Sequence, residues 1–85
     1  MMEEISISVR FFGMLCDRLP ADCDRGETVI TVLARTDVAG ALARFGVSRQ
    51  DARWMVVMVN GRQAGLDQVL EESDVLSAFP AVAGG

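Results

Sequence analysis

The sequence predicts a single α+β domain in which a mixed sheet of about four to five strands carries one main helix packed across it. Three patterns predict this class: an alternating apolar segment near the start, one amphipathic segment near the middle, and two further β-type segments in the second half. The chain has 85 residues, 51% hydrophobic and 24% charged, which suits one small core. We expect the domain to span residues 1–80, with residues 81–85 as a flexible tail.

The strands are predicted from their side-chain pattern. In EISISVRFF, apolar residues alternate with serine and arginine, which predicts a half-buried first strand with Phe12 on the opposite face. TVITVL, rich in β-branched residues, predicts the second strand. WMVVMVN is apolar on both faces, which suits a central strand or one whose outer face meets a partner, and Asn60 and Gly61 end it in a turn. VLSAFP predicts the last strand, ended by Pro80.

One segment has the helical period. In ARTDVAGALARFGV, Thr36 or Asp37 can cap an amphipathic helix of about ten residues, and Gly46 can end it. The polar stretch SRQDAR then leads into the third strand. LDQVLEESD predicts a turn or a short helical piece before the last strand.

The composition disfavours several classes of function. All the basic residues are arginine and there is no histidine, so the chain has no P-loop lysine, no Schiff-base amine and no side chain that ordinarily titrates near neutrality. The net charge is −4 and the arginines are scattered among acids, which disfavours nucleic acid. No apolar run is long enough for a membrane span, and MMEEISIS is acidic where a secretory signal is basic. We expect a cytoplasmic protein that is not an enzyme by itself and has no membrane partner.

Two cysteines, Cys16 and Cys23, lie in the predicted loop after the first strand. Without histidine they cannot complete a four-ligand zinc site, so no metal is expected, and their spacing differs from a C-x-x-C redox motif. Free thiols are the leading interpretation. A disulfide and a reactive thiol are the alternatives.

The given sequence ends FPAVAGG, and because its two final glycines follow a predicted strand, neither a helix cap nor a turn is predicted for them. A residue without Cβ lets the backbone lie flat in a narrow slot and leaves the carbonyl carbon open from both sides. The five residues after Pro80 span roughly 15–18 Å when extended. The tail can therefore thread into another protein. The alternative is a frayed terminus that happens to end in Gly84 and Gly85.

Four motifs taken together, VRFFGML, VNG, ESD and FPAVAGG, resemble the small sulfur-carrier proteins of the ubiquitin-like superfamily. These include the small subunit of molybdopterin synthase and the sulfur carrier of thiamine thiazole synthesis. The resemblance implies a ubiquitin-like β-grasp fold. It also implies that the carboxylate of Gly85, next to Gly84, is adenylated by a ubiquitin-activating-type enzyme that uses ATP. The product of that step becomes a thiocarboxylate that donates sulfur, and the carrier itself binds no cofactor.

The FFGML and FP motifs are more similar to the molybdopterin synthase small subunit, whereas the AVAGG ending alone is close to the thiamine carrier. The first likeness implies a role in molybdenum or tungsten cofactor synthesis with the large subunit as sulfur acceptor. Phe12 and Phe79 match positions that pack on that subunit, and Pro80 and Val82 are expected to contact partners too. The other interpretation places both phenylalanines in the core.

Two further functions stay open. One is a protein modifier joined through Gly85 to a lysine of a target, and the other is an interaction domain with an idle tail.

The alternation of the last strand distinguishes the exposed and the buried interpretation of Phe79. If Leu76 and Ala78 face the helix, Phe79 faces outward.

Overall fold

The fold is a mixed sheet with short helices on one face, seen in a computed structural model that describes residues 3–12 and 26–80. The elements in chain order are β1 (Glu4–Phe11), β2 (Glu27–Leu33), α1 (Val38–Ala43), α2 (Arg49–Ala52), β3 (Met55–Val59), β4 (Arg62–Gln63) and β5 (Val75–Pro80). The five strands form one sheet in the order β2-β1-β5-β3-β4. The predicted α+β class is confirmed.

The centre of the sheet is formed by the first and last strands of the chain. β1 pairs with β5 in parallel, and the other neighbouring strands are antiparallel. The register sets Val9 beside Leu76 and Phe11 beside Ala78. β3 lies between β5 and the two-residue β4, so it is flanked on both sides.

The core lies between one sheet face and α1. Leu76 and Ala78 are fully buried, as are Val38 and Leu42 of the helix, and all four belong to one cluster of buried side chains. The cluster also contains residues from β1, β2, β3 and the segment after β4. Leu76 and Ala78 therefore face the helix, which is the condition under which the sequence predicts that Phe79 faces outward.

Helix α1 begins where the sequence predicts and ends earlier. Asp37 caps it, because its carboxylate Oδ1 accepts a hydrogen bond of 2.8 Å from the backbone N–H of Gly40. The predicted length of about ten residues is wrong, since α1 has six residues. The backbone of Arg44, Phe45 and Gly46 instead makes i→i+3 hydrogen bonds, which tighten the chain into a turn. Phe45 still packs edge-on against Phe11, with ring centroids 5.1 Å apart.

Two connecting segments differ in how well the sequence predicts them. The polar stretch before β3 contains a short helix, α2, which the sequence pattern did not indicate. Ser48 caps it by accepting a hydrogen bond from the N–H of Asp51, and Ala52 is buried. LDQVLEESD is a turn with no helix, and its Leu70 is buried in the core.

Polar side chains fix the turn after β3 to the start of β5. Asn60 has a φ of 53°, a left-handed conformation that asparagine tolerates. Its side-chain amide donates to Asp74 Oδ1 at 2.8 Å and accepts from the N–H of Val75 at 2.9 Å. Asp74 Oδ2 accepts from the N–H of Glu71 at 2.8 Å. These bonds hold β5 in register with β3.

Replacing Asp74 with alanine should lower the free energy of unfolding by about 1–2 kcal/mol, because two hydrogen-bond donors lose a charged acceptor. Urea unfolding measures this loss. Asp67→Ala is the matched control: its carboxylate is 89% exposed and its pair with Arg49 is on the surface, so the expected change is below about 0.5 kcal/mol. Equal effects of the two substitutions would contradict this role of Asp74.

Candidate functional site

The candidate site is the part of the sheet from which the C-terminal tail starts. β5 ends at Pro80, which pairs with Met55 at the beginning of β3 and is exposed. The predicted site residues Val82, Gly84 and Gly85 lie outside the described residues, as does the predicted loop with its two cysteines. The described part of the site is therefore formed by the residues around Pro80.

Two phenylalanines from opposite ends of the chain meet beside this point. Their rings are stacked, with centroids 4.2 Å apart and planes 9° from parallel. The N–H of Phe12 donates to the carbonyl oxygen of Ala78 at 3.1 Å, which extends the β1–β5 ladder by one residue and brings Phe12 next to Phe79. Offset or stacked aromatic pairs are stabilising beyond the apolar area they bury. The pair is thus a defined local structure.

The stacked pair lies on the sheet face that points away from the core. Phe11 and Ala78, the neighbours of Phe12 and Phe79 in sequence, are buried, and side chains alternate between the two faces of a strand. Both stacked rings are partly exposed. The interpretation that places Phe12 and Phe79 in the core is therefore wrong.

Further apolar side chains surround the stack. Val56 pairs with Phe79 across β3 and β5 and is 37% exposed. We call Phe12, Val56 and Phe79 the outer patch. Trp54, immediately before β3, is 66% exposed and precedes the residue that pairs with Pro80. The sequence analysis did not single out Val56 or Trp54, although the apolar pattern of WMVVMVN on both faces was the signal for them.

One charged pair borders the outer patch. The guanidinium carbon of Arg10 lies 5.5 Å from the centroid of the Phe12 ring, within the range of a cation–π contact. Arg10 Nε is 3.6 Å from Oε1 of Glu27, and both side chains are about half exposed. An exposed pair of this kind contributes little to stability. The sequence analysis gave Arg10 no role.

The described part of the chain holds no group of three or more cysteine, aspartate or glutamate side chains placed to bind a metal ion. Within the same residues, no helix has the length and hydropathy needed to cross a membrane. What the described site offers is an apolar surface, one cation and the start of a tail. Exposed apolar surfaces of this kind are typical of sites where proteins interact.

Solved structures of small proteins share this architecture. The solution structure of the Haloferax volcanii HVO 2177 protein has a TM-score of 0.77 at 21% identity, covering 96% of this chain and 88% of that one. The crystal structure of H. volcanii small archaeal modifier protein 1 has a TM-score of 0.71 at 19% identity, covering 92% and 99%. A chain from the complex of subunits 1 and 2 of molybdopterin-converting factor from Helicobacter pylori has a TM-score of 0.59 at 22% identity, covering 95% and 100%.

These similarities establish the fold, which is the ubiquitin-like β-grasp. A search of curated proteins found no match. The model of the ThiS family matches residues 9–85, nearly the whole chain. The chain therefore belongs to the ThiS family.

Truncating side chains on the two faces of β5 should lower the free energy of unfolding by unequal amounts. Leu76→Ala removes a fully buried side chain and should lower the free energy of unfolding by about 2–5 kcal/mol. Phe79→Ala removes a partly exposed ring and its stacking contact, for an expected loss of about 1–2 kcal/mol. Urea unfolding of both variants measures the difference. A loss for Phe79→Ala as large as that for Leu76→Ala would show that Phe79 belongs to the core.

Proposed function

We propose that this protein is a sulfur carrier for molybdopterin biosynthesis, the route to the molybdenum or tungsten cofactor, and that it has no catalytic activity of its own. The observation that carries the proposal is the stacked Phe12–Phe79 pair on the exposed sheet face, beside the start of the FPAVAGG tail. An apolar surface next to a thin tail lets a partner bind the domain while the tail reaches that partner's active site. The molybdopterin-converting factor complex among the structural neighbours supports this pathway.

The chemistry falls on the carboxylate of Gly85. In the first step a carboxylate oxygen bonds to the α-phosphorus of ATP and pyrophosphate leaves. In the second, hydrosulfide attacks the carbonyl carbon and AMP leaves, so that the tail ends in a thiocarboxylate. Neighbouring Gly84 adds no side chain that would block either attack. Because the chain has no P-loop lysine, activation takes place in trans, on a ubiquitin-activating-type adenylating enzyme that uses ATP.

Two partners would bind the carrier in turn. The adenylating enzyme loads Gly85, and a sulfur acceptor such as the large subunit of molybdopterin synthase unloads it. Both need the same five-residue tail, so both bind beside Pro80 and contact the outer patch and Val82. Partly exposed aromatic residues in such positions often contribute most of the binding energy of an interface. We expect both steps to take place in the cytoplasm, where ATP is available.

A modifier function is the second candidate. It is favoured by the fold similarity to a protein named small archaeal modifier protein 1. Adenylation is common to both functions, but a modifier transfers its glycine to a lysine amine and forms an isopeptide bond. A thiamine thiazole carrier is a third candidate that shares the thiocarboxylate. Intact-mass analysis of the protein from its native host separates these products.

Deleting Gly85 should abolish sulfur transfer and leave the unfolding midpoint unchanged, because the tail follows the last strand. In the intact protein, mass spectrometry should detect a species heavier by the difference between one sulfur and one oxygen atom. This species should be absent from the truncated variant. Ala83→Ser, which keeps the length of the tail, is the control and should retain the heavier species. A truncated variant that still transfers sulfur would contradict the carrier function.

Replacing Cys16 and Cys23 together with serine should leave sulfur transfer unchanged, since the sulfur is carried as an acyl sulfur on Gly85. The measurement is thiocarboxylate formation by intact mass with the adenylating enzyme, ATP and a sulfur donor. If a folded double variant forms no thiocarboxylate, the thiols take part in the transfer and this prediction is wrong.

A further inference from the structure

Arg10 is a charged residue on the outer sheet face, and the proposed sulfur transfer gives it no role. The register places it between Ser77 of β5 and Glu27 of β2, on the side of β1 that faces away from the core. It is the one positive charge among the described strand residues of that face. Its side chain is 49% exposed, so it is accessible to a partner.

The position of the guanidinium is set by two neighbours. Its carbon lies 5.5 Å from the centroid of the Phe12 ring, and Phe12 is itself stacked on Phe79. The contact with Glu27 runs through Nε at 3.6 Å, which is longer than a good charge-assisted hydrogen bond. Among the described residues, Glu27 is the one carboxylate within ion-pair distance of this guanidinium, and it contacts Nε, so the terminal nitrogens can bind a further acceptor.

A partner that covers Phe12 also covers the guanidinium in contact with it. Taking a guanidinium out of water is unfavourable unless its N–H groups find acceptors. One carboxylate at 3.6 Å does not satisfy five N–H donors. The planar fork of arginine matches a second carboxylate, bound through two parallel hydrogen bonds.

We propose that Arg10 is a specificity-determining residue that selects an adenylating enzyme presenting an aspartate or glutamate beside its pocket for Phe12 and Phe79. The inference rests on the proposed function, and it names the adenylating enzyme because that step is common to every candidate function. The net charge of −4 gives no long-range attraction to an acidic surface. The carboxylate is therefore recognised by contact, after the apolar patch has docked.

The test measures adenylation of the carrier by the adenylating enzyme of the same organism, through pyrophosphate exchange, together with calorimetric binding. Arg10→Glu should raise both Kd and the KM for the carrier by about tenfold or more, with kcat nearly unchanged. Arg10→Lys should recover part of the affinity, because lysine keeps the charge and loses the fork. Arg62→Glu is the matched control: it makes the same charge change on exposed β4, at one edge of the sheet, and should leave Kd and KM unchanged.

Swapping the charges of Arg10 and Glu27 distinguishes a contact of Arg10 with a partner from its contact with Glu27 inside the carrier. The double variant Arg10→Glu with Glu27→Arg restores an ion pair within the carrier and leaves a negative charge at position 10. We expect it to bind as weakly as Arg10→Glu, whereas recovered binding would overturn the inference in favour of a structural pair. Melting temperatures of all variants establish that each protein is folded. A compensating Asp→Arg or Glu→Arg substitution in the enzyme that restores binding to Arg10→Glu would support the contact directly.

Phe79→Ala distinguishes a failure of this inference about Arg10 from a failure of the proposed docking at the outer patch. If Phe79→Ala weakens binding while Arg10→Glu behaves like Arg62→Glu, Arg10 has no selective role and the docking face stands. If Phe79→Ala also binds normally, the outer patch is not the docking face and both proposals fall. Sedimentation of the free carrier tests whether the acceptor of Arg10 lies on a second copy of the chain. If Arg10→Glu abolishes a dimer and leaves enzyme binding intact, the acceptor of Arg10 is a second copy of the chain and the inference is overturned.

Discussion

The parallel pairing of β1 with β5 is the constraint on which the rest of this structure depends. It joins the first and last strands of the domain and sets Phe11 opposite Ala78. Because side chains alternate along each strand, this register sends those two residues into the core and turns Phe12 and Phe79 outward together. A shift of the β1–β5 register by one residue would exchange the two faces of the shifted strand and turn its share of the outer patch toward the core.

Polar contacts at the other end of β5 maintain that register. Asn60 and Asp74 fasten the β3–β4 turn to the segment before β5, and the carbonyl of Asp74 accepts a hydrogen bond from the N–H of Ser8 at 2.9 Å. The same loop therefore contacts both strands that flank β5. β5 is held by β1, β3 and this loop, so the outer patch and Pro80, the last described residue before the tail, stay in a fixed relation.

The two faces of the sheet have different roles. The covered face supplies stability through a continuous apolar cluster, and the open face carries a small aromatic patch with a single cation. The outer patch adds less to folding than the core does, and contiguous exposed apolar side chains are typical of interaction sites. In the proposed function, this chain contributes a docking face and the carboxylate of Gly85, and its partners supply the catalytic groups.

The sequence by itself determined the class of fold, four of the five strands near their observed positions, the cap at Asp37 and the glycine ending of the tail. These features depend on local patterns: alternation, capping chemistry and turn residues. Tertiary structure alone decided that Phe12 stacks on Phe79, that Arg10 lies over Phe12, and that α1 stops after six residues. The physical reason is that alternation along a strand separates two faces without saying which one the helix covers. That choice depends on the register between strands more than sixty residues apart in the chain.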